Sequence, residues 1–427
     1  MTVYHADYAW IGGALARDVS IEVRHGRFTA MNHGRSGDGI ALRGLVLPGL
    51  ANAHSHAFHR ALRGRTHGER GTFWTWRKQM YAAAERLDPD SFLALARAVF
   101  AEMAMAGYTA VGEFHYLHHG PDGHPYADPN AMGHALIEAA AEAGIRLTLL
   151  DTLYLQSGVD GKPLEGVQRR FGDGDLDRYS ERVRQLRPHP QARIGAALHS
   201  VRAVPAETMA AFVERHGELA HIHLSEQRAE NEQCRAVHGC TPAELLDDCG
   251  FWQGGSTAVH ATHLTGDDIR VLGENRSFAC FCPTTERDLA DGIGPARRLA
   301  DAGARLCLGT DSHAVIDPFE ELRGLEMNER LATERRGHFT PAELVAAAAG
   351  HASIGWDDAG EIAAGKRADL VCVRLDSVRT AGSDPAGAIL AATAADVTDV
   401  IVDGRQVVAG GRHTTIDVPR ALAEAIG

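Results

Sequence analysis

The chain has few of the features that would place it in a membrane or in an oxidising compartment. Its 427 residues contain no run of 18 apolar residues, so no segment is predicted to span a bilayer. The seven cysteines are an odd number without regular spacing, which indicates reduced thiols and not a disulfide framework. The beginning of the sequence has no basic stretch followed by an apolar one, as a secretory signal would have. We therefore expect a cytoplasmic protein.

Positive charge is also scarce. Lys and Arg number 43 against 56 Asp and Glu, which gives a net charge of −13. Such a chain is a poor match for nucleic acid or an anionic membrane surface, so neither is expected as a partner, although a few local arginines could hold a small anion. The sequence also lacks low-complexity tracts and internal repeats, and its 44% hydrophobic content is that of a globular enzyme.

Both ends of the chain are rich in short β-type segments. Such segments fill residues 1–46, and strands are predicted again at 368–373, 397–402 and 406–408. Between the two ends, apolar strands alternate with Ala-rich helical stretches, which is typical of βα units.

Eight strands can be marked in the middle part, and each runs into a cluster of polar residues. They are predicted at residues 44–56, 109–116, 145–154, 193–199, 219–226, 257–263, 277–284 and 304–311. Helices are predicted between them at residues 89–106, 130–143, 205–216, 242–249 and 295–302, and residues 158–177 are expected to form an excursion after the third strand. Eight such units predict a (β/α)8 barrel of the α/β class, in which all strand ends converge on one mouth. A doubly wound sheet is the alternative, but it would place polar clusters at few strand ends.

Several of these strand ends carry metal-ligating side chains. His54 and His56 end the first strand, and residues two apart face the same side of a strand, so both imidazoles can bind one ion. His223 ends the fifth strand and Asp311 the eighth. A catalytic divalent ion needs about three or four N and O ligands and an open position for water. Alone, a His-x-His motif or an Asp after a strand more often has no metal. Together, the four predict a metal site at the mouth.

Two further residues suit catalysis beside such an ion. Glu226 lies three residues beyond His223, just outside the strand, where it can reach a bound substrate. His260, at the end of the sixth strand, could orient or deprotonate the metal-bound water. Asp311 could share that role. His221 and His263 are interpreted as packing residues or neighbours of the ligands.

The chain resembles the amidohydrolase superfamily over nearly its whole length. The motifs that carry the resemblance are Leu47-Pro-Gly-Leu-Ala-Asn-Ala-His-Ser-His56, Gly107-Tyr-Thr109, His223-Leu-Ser-Glu226, Asp311-Ser312 and the segment 360–371. Members of that family are metal-dependent hydrolases on a (β/α)8 barrel that carries a small β-sandwich. The resemblance implies one small β-sandwich domain built from residues 1–46 and 360–427, and a barrel domain of residues 47–359. Barrels of this kind often dimerise, so a homodimer is expected.

The resemblance also bears on the number of metal ions. Members with two metals commonly use a modified Lys at the end of the fourth strand, where this chain has His199-Ser-Val-Arg202 and no Lys. The chain is therefore similar to the single-metal deaminase branch, which implies one zinc ion per subunit. Nitrogen and oxygen ligands also suit iron or nickel.

Within that branch, three motifs resemble the formimidoylglutamate deiminases of histidine breakdown. They are Gly71-Thr-Phe-Trp-Thr-Trp-Arg77, Glu113-Phe-His-Tyr116 and His199-Ser-Val-Arg202. Those enzymes convert N-formimino-L-glutamate and water to N-formyl-L-glutamate and ammonia. A dicarboxylate needs cationic, preferably bidentate, partners, and Arg77 and Arg202 on loops at the mouth could provide them. Tyr116 and His199 are candidate hydrogen-bond donors to the same carboxylates.

One position departs from the pattern of that family, and three alternatives stay open. His59 stands where the family has Gln, which leaves open how the α-group of the substrate is held. A related formimino-amino acid is therefore one alternative substrate, and a purine or pyrimidine ring is another. A non-catalytic barrel used for binding or assembly is the third alternative, although it would have no need for a full set of metal ligands.

Overall fold

The first part of the chain forms a β-meander. A computed structural model describes residues 1–34, 38–67, 71, 73–187 and 189–427, so Thr72 of the predicted Gly71–Arg77 motif lies outside the described residues. The first four strands are β1 (Thr2–Ile11), β2 (Ala14–Arg24), β3 (Arg27–His33) and β4 (Ile40–Pro48). Strands β1, β2 and β3 pair antiparallel in order, whereas β4 runs parallel to β1.

Eight further strands build a parallel sheet. They are β5 (Leu50–Ser55), β6 (Tyr108–His115), β7 (Arg146–Leu153), β8 (Ala192–Leu198), β9 (Ala220–Leu224), β10 (Thr257–His260), β11 (Phe278–Phe281) and β12 (Arg305–Leu308). Each strand pairs with the next one in the chain. The main-chain N–H groups of Thr310 and Asp311 donate to the carbonyl oxygen of His54 at 3.1 and 3.0 Å, which joins the last strand to the first. The predicted (β/α)8 barrel is confirmed.

Helices lie between the barrel strands and continue after the last of them. They are α1 (Phe73–Glu85), α2 (Pro89–Ala106), α3 (Ala131–Ala143), α4 (Leu176–Arg184), α5 (Ala206–His216), α6 (Arg228–His238), α7 (Pro242–Asp248), α8 (Gly266–Glu274), α9 (Pro283–Asp288), α10 (Ala296–Ala302), α11 (Pro318–Thr333), α12 (Pro341–Ala348) and α13 (Val418–Ile426). Among the described residues, none of these helices combines the length and apolar character needed to cross a bilayer.

The end of the chain returns to the first sheet. Its strands are β13 (Leu370–Val373), β14 (Val397–Val402), β15 (Arg405–Ala409) and β16 (Arg412–His413). Because β13 pairs antiparallel with β4, both chain ends form one eight-stranded sheet in the order β16-β15-β14-β13-β4-β1-β2-β3. Its core includes Ile21, Val46, Leu370 and Ile401, all completely buried. The predicted second unit, made from both ends of the chain, is confirmed, whereas its domain boundaries stay a prediction.

The barrel and the small sheet are joined by a buried ion pair. Arg146, at the start of β7, donates two hydrogen bonds to the carboxylate of Asp369, just before β13. The same guanidinium lies 3.3 Å from the carboxylate of Asp403. Both Arg146 and Asp369 are buried, so this contact is shielded from water.

The predicted strand at residues 44–56 is wrong as a single strand. It is divided between β4 of the small sheet and β5 of the barrel, with Gly49 between them. A Cβ atom at Gly49 would lie 2.4 Å from the hydroxyl of Thr109 and 2.5 Å from the Cβ of Asp369, so only glycine fits where the chain crosses between the sheets. The residues on both sides of Gly49 are apolar, so the sequence pattern does not show where one strand ends and the next begins. The excursion at residues 158–177 follows β7 as predicted, but it contains a short 3-10 helix, Gly166–Arg170.

Candidate active site

The four predicted metal ligands meet at the carboxyl ends of β5, β9 and β12. The Nε2 atom of His223 lies 3.2 Å from Nε2 of His54 and 3.3 Å from Nε2 of His56. The Oδ1 atom of Asp311 is 3.3 Å from each of the latter two nitrogens. Four separations of this length allow the atoms to share one divalent ion at about 2 Å. The donor set therefore suits a metal ion with nitrogen and oxygen ligands.

Hydrogen bonds orient two of these imidazoles. Nδ1 of His56 donates to the carbonyl oxygen of Phe114 at 2.9 Å, and Nδ1 of His223 donates to that of His199 at 2.8 Å. In a neutral imidazole the other nitrogen, Nε2, then carries the lone pair that a metal needs. Burial lowers the pKa of His54 to about 3 and that of His223 well below its usual value, which keeps these rings neutral.

Unusual backbone conformations cluster at the same strand ends. Five non-glycine residues there have φ between 42° and 68°, namely Ser225, His260, Ala261, Asp311 and His313. Such left-handed conformations cost about 1–3 kcal/mol each and persist where the surrounding structure imposes them. Ser225 directly follows β9, His260 ends β10, and Ala261 directly follows it. Both strands carry predicted site residues, so the strained backbone lies at the mouth of the barrel.

His260 lies between the metal ligands and a carboxylate that the sequence did not reveal. Its ring stacks on that of His223 with centroids 5.7 Å apart, and its Nε2 is 3.8 Å from Oδ2 of Asp311. Its Nδ1 is 3.5 Å from Oε1 of Glu286, which follows β11. Burial lowers the pKa of His260, but Glu226 and Glu286 outweigh it and raise the pKa to about 10. A divalent ion on the neighbouring ligands would oppose this positive charge.

Glu226 shares a cation with a second buried carboxylate. Nη2 of Arg202 is 3.6 Å from Glu226, and Nε of Arg202 is 3.5 Å from Glu230 on α6. Glu230 is buried, and burial raises its pKa to about 7. Arg202, predicted as a cationic partner of the substrate, thus also lies beside two carboxylates of the chain. Glu230 lies four residues after Glu226, but Glu226 precedes α6, so no helical spacing links the two carboxylates.

One pocket contains all the predicted substrate-binding residues together with most of the metal and catalytic residues. Its lining includes His56, His59, Arg77, Tyr116, His199, Arg202, His223, Glu226, His260 and Asp311. His54 lies completely buried beneath this lining. The structure therefore brings the predicted site together at one place, the mouth of the barrel.

The pocket wall also contains residues that the sequence analysis did not single out. Arg77 lies on α1 and not on a loop as expected, and its Nε donates to the hydroxyl of Tyr81 at 2.7 Å. Trp76, Met80 and Tyr81 of the same helix line the pocket, and the four-residue spacings 76–80 and 77–81, which place residues on one helix face, are the signal that could have found them. Tyr154 and Phe171 complete this wall, and no spacing pattern links them to the helix.

His59 occupies a buried position beside the ligands. It lies in a 3-10 helix, Ala57–Leu62, and its Nε2 is 3.0 Å from the hydroxyl of Tyr116. That hydroxyl donates to the sulfur of Met80 at 3.8 Å, so Nε2 of His59 is the donor to Tyr116. Burial lowers the pKa of His59 well below its usual value. His59 is thus a neutral ring held against the substrate pocket.

His221 and His263, which were interpreted as packing residues or neighbours, do not lie among the proposed ligands. His221 is completely buried and bonds through Nε2 to the carbonyl oxygen of Ser353 at 2.8 Å. His263 does not line the pocket described above. Neither contributes to the metal geometry.

A second group of metal-ligating side chains lies outside the pocket. It consists of His115, His118 and Asp151, all buried. Both carboxylate oxygens of Asp151 accept hydrogen bonds from Arg182, at 2.7 and 2.8 Å. The guanidinium already supplies the positive charge there, so this group is explained as a structural ion pair.

The barrel, the second sheet and the converging His and Asp side chains, which could hold a metal ion, define the class of this protein as a hydrolase with a candidate metal site. The family model described as "Amidohydrolase family" matches residues 45–407, and the chain belongs to this family. It is an enzyme of the amidohydrolase superfamily, whose members include hydrolases and deaminases.

Individual relatives are similar over most or all of the chain. Formimidoylglutamate deiminase of Pseudomonas aeruginosa is 35% identical, with 100% of this chain and 99% of that protein covered. An 8-oxoguanine deaminase of the same organism is 31% identical, over 90% of this chain and 86% of that protein. The crystal structure of an amidohydrolase from Brucella melitensis has a TM-score of 0.92 at 31% identity, covering 100% of this chain and 99% of that one.

Proposed function

We propose that this protein catalyses the zinc-dependent hydrolytic deimination of N-formimino-L-glutamate to N-formyl-L-glutamate and ammonia in histidine catabolism. The observation that carries the proposal is the presence of Arg77 and Arg202 in the same pocket as the metal ligands. Two guanidinium groups suit a substrate with two carboxylates. The 35% identity to a formimidoylglutamate deiminase supports the same substrate.

His54, His56, His223 and Asp311 would hold the zinc ion, one per subunit. A zinc ion bound there would lower the pKa of a coordinated water toward neutrality and so supply a nucleophile. Four of the separations between their ligand atoms are 3.2–3.3 Å, which supports a shared ion at this place.

Proton transfer falls to the residues that surround the ligands. His260 and Asp311, 3.8 Å apart, would take up the proton of the attacking water, because the charge of a bound ion would lower the pKa of His260 and free its ring to accept a proton. Glu226 protonates the imine nitrogen of the substrate, which makes the formimino carbon more electrophilic. Glu226 then passes on a second proton so that the C–N bond breaks and ammonia leaves.

The substrate carboxylates are bound by the wall of the pocket. Arg202 would bind one of them, and Arg77 on α1 would bind the other. Tyr116 and His199 add hydrogen bonds, and burial keeps the pKa of His199 well below its usual value, so its neutral ring donates only once. His59 reaches the same region through its contact with Tyr116.

A ring deaminase is the second candidate function. The similarity to an 8-oxoguanine deaminase and the aromatic side chains of Trp76, Tyr81 and Tyr154 in the pocket favour it. A flat neutral ring, however, offers no carboxylate for Arg77 and Arg202 to bind.

Ammonia release from a small panel of substrates separates these functions. We expect the highest kcat/KM with N-formimino-L-glutamate, a lower one with the formimino-L-aspartate analogue, and no turnover of guanine or cytosine. Faster turnover of a ring would overturn the proposal. Metal analysis of the purified protein should give about one ion per chain, whereas no turnover of any substrate together with no metal would favour a non-catalytic barrel.

A further inference from the structure

Arg170 is a completely buried arginine that the proposed chemistry does not use. It ends the 3-10 helix Gly166–Arg170 in the excursion after β7. Its guanidinium donates hydrogen bonds to the carbonyl oxygens of Ala84, Leu87 (2.6 Å) and His119 (2.8 Å). Its own carbonyl oxygen accepts the main-chain N–H groups of His118 and His119, at 3.0 and 2.9 Å. Arg170 therefore contacts two other segments through their backbones.

The partners of this guanidinium are unusual for a buried cation. Among the described residues, no aspartate or glutamate forms a salt bridge with Arg170, and burial lowers its pKa. Ala84 lies in the last turn of α1 and Leu87 two residues after its end, so both carbonyl groups lie at the negative end of the helix dipole. These carbonyls, with the hydroxyl of Tyr126 at 3.3 Å, replace a carboxylate as the partners of the charge. Because the acceptors are mostly main-chain atoms, the contact fixes where the backbone segments lie.

The segments that Arg170 joins carry one wall of the substrate pocket. Helix α1 presents Arg77 and Tyr81 to the pocket. Tyr116 precedes the bonded His118 by two residues, and Phe171 directly follows Arg170; both line the pocket. One buried guanidinium thus sets the distance between three parts of this wall.

We propose that Arg170 is a positioning residue for substrate recognition, which holds Arg77 and Tyr116 where the carboxylates of the substrate bind. The inference rests on the proposed function. Arg170 itself does not line the pocket, so it acts through the residues it holds. None of its hydrogen bonds reaches a metal ligand or Glu226. Its loss should therefore weaken substrate binding and leave the metal and the chemical step largely in place.

The test replaces Arg170 and separates KM from kcat. For Arg170→Met we expect the KM for N-formimino-L-glutamate to rise about tenfold or more, with kcat within about threefold of the wild type. The metal content should not change, and the dissociation constant of the product N-formyl-L-glutamate, measured by calorimetry, should rise in parallel with KM. Arg170→Lys keeps the charge but cannot reach all three carbonyls, so its KM should fall between those of the wild type and Arg170→Met.

Arg146→Met is the matched control, because Arg146 is equally buried but joins the barrel to the small sheet. It should lower the melting temperature without changing KM. The proposal is overturned if KM is unchanged in the Arg170 variants, if Arg146→Met raises KM equally, or if kcat and metal content fall while KM rises. If Arg170→Met does not fold, Arg170→Lys decides by the same criteria. Failure of the wild type to release ammonia from N-formimino-L-glutamate would instead contradict the proposed function.

Discussion

At the scale of single residues, Glu226 has different neighbours from the proposed metal ligands. It lies beside Arg202 at 3.6 Å, whereas the ligand atoms of His54, His56, His223 and Asp311 lie close to one another. A side chain that moves protons without holding the ion can be altered without loss of the ion. The difference between these two roles is measurable.

Glu226→Gln should lower turnover and spare the metal. Glutamine has the same size but cannot donate the acid proton, so we expect kcat for N-formimino-L-glutamate to fall about 100-fold or more. Ammonia release and metal content per chain would be measured on the same preparation, with His56→Ala as the control that loses the ion. Loss of metal in Glu226→Gln would contradict the assignment.

Arg202→Met should weaken recognition of the dicarboxylate. A hydrogen bond to a charged group contributes about 1.5–3 kcal/mol, so kcat/KM for N-formimino-L-glutamate should fall by about 10- to 160-fold, mostly through KM. Arg193→Met serves as the control, because Arg193 stacks on Trp356 at 4.4 Å and does not line the pocket. Unchanged kinetics in Arg202→Met would show that the specificity argument is wrong.

The sequence predicts some site residues and not others for a physical reason. His54 and His56 are two residues apart in a strand, and a strand places alternate residues on one face, so the spacing carries the geometry. Glu286 meets His260 only because β10 and β11 are neighbours in the barrel, and no spacing in the chain encodes that contact. The prediction that Arg77 lies on a loop was wrong because no helix was predicted where α1 lies.

At the scale of elements, the carboxyl ends of β5 and β12 approach each other closely enough to exclude a side chain. Gly309 directly follows β12, and a Cβ atom there would lie 2.8 Å from both Cβ and the carbonyl oxygen of His54. The sulfur of Cys282 would be 2.9 Å away. The absence of a side chain at Gly309 therefore lets the two strands that carry ligands meet.

Gly309→Ala should disturb both the fold and the metal site. Overpacking of this kind typically costs about 1–3 kcal/mol of unfolding free energy, and moving His54 should also weaken zinc binding. Urea unfolding and a competitive zinc-chelator titration would measure the two effects. Gly254→Ala is the control, since its Cβ would meet only the end of Arg305, at 4.0 Å. Undiminished zinc affinity in Gly309→Ala would contradict the close approach.

Element boundaries were predictable where the sequence carries local signals. Helix α2 begins and ends at the predicted residues, because Asp88 caps its first turn, Pro89 opens it and Gly107 ends it with φ of 108°. The crossing from β4 to β5 was not predictable, because the residues on both sides of Gly49 are apolar and buried. A buried strand in either sheet has the same pattern there.

At the scale of the whole molecule, the two sheets depend on contacts between residues far apart in the chain. The sequence predicted strands at both ends, but only the family resemblance joined them, because pairing of β4 with β13 leaves no local signal. Arg146 and Asp369 hold the barrel to the sheet formed by that pairing. We expect this pair to contribute to the stability of the complete fold.

Asp369→Asn should destabilise the protein by about 3–5 kcal/mol at pH 7, because it leaves a buried Arg146 without its main carboxylate partner. Burial raises the pKa of Asp369, but the charge and hydrogen bonds of Arg146 outweigh this and hold the pKa below its usual value. The unfolded chain therefore takes up this proton first as the pH falls. The stabilisation is present above about pH 4 and is lost as the pH drops through the folded-state pKa.

The difference in the free energy of unfolding between the wild type and Asp369→Asn should therefore be smaller at pH 3 than at pH 7. Urea unfolding at both pH values measures it. Asp376→Asn provides the control, since Asp376 pairs with Arg374 at an exposed site where solvent screens the charges, so its loss should change the free energy of unfolding little. An Asp369→Asn effect as small as that of Asp376→Asn would show that the contact between barrel and sheet adds little. An effect of equal size at both pH values would show that the carboxylate charge of Asp369 is not what stabilises the contact.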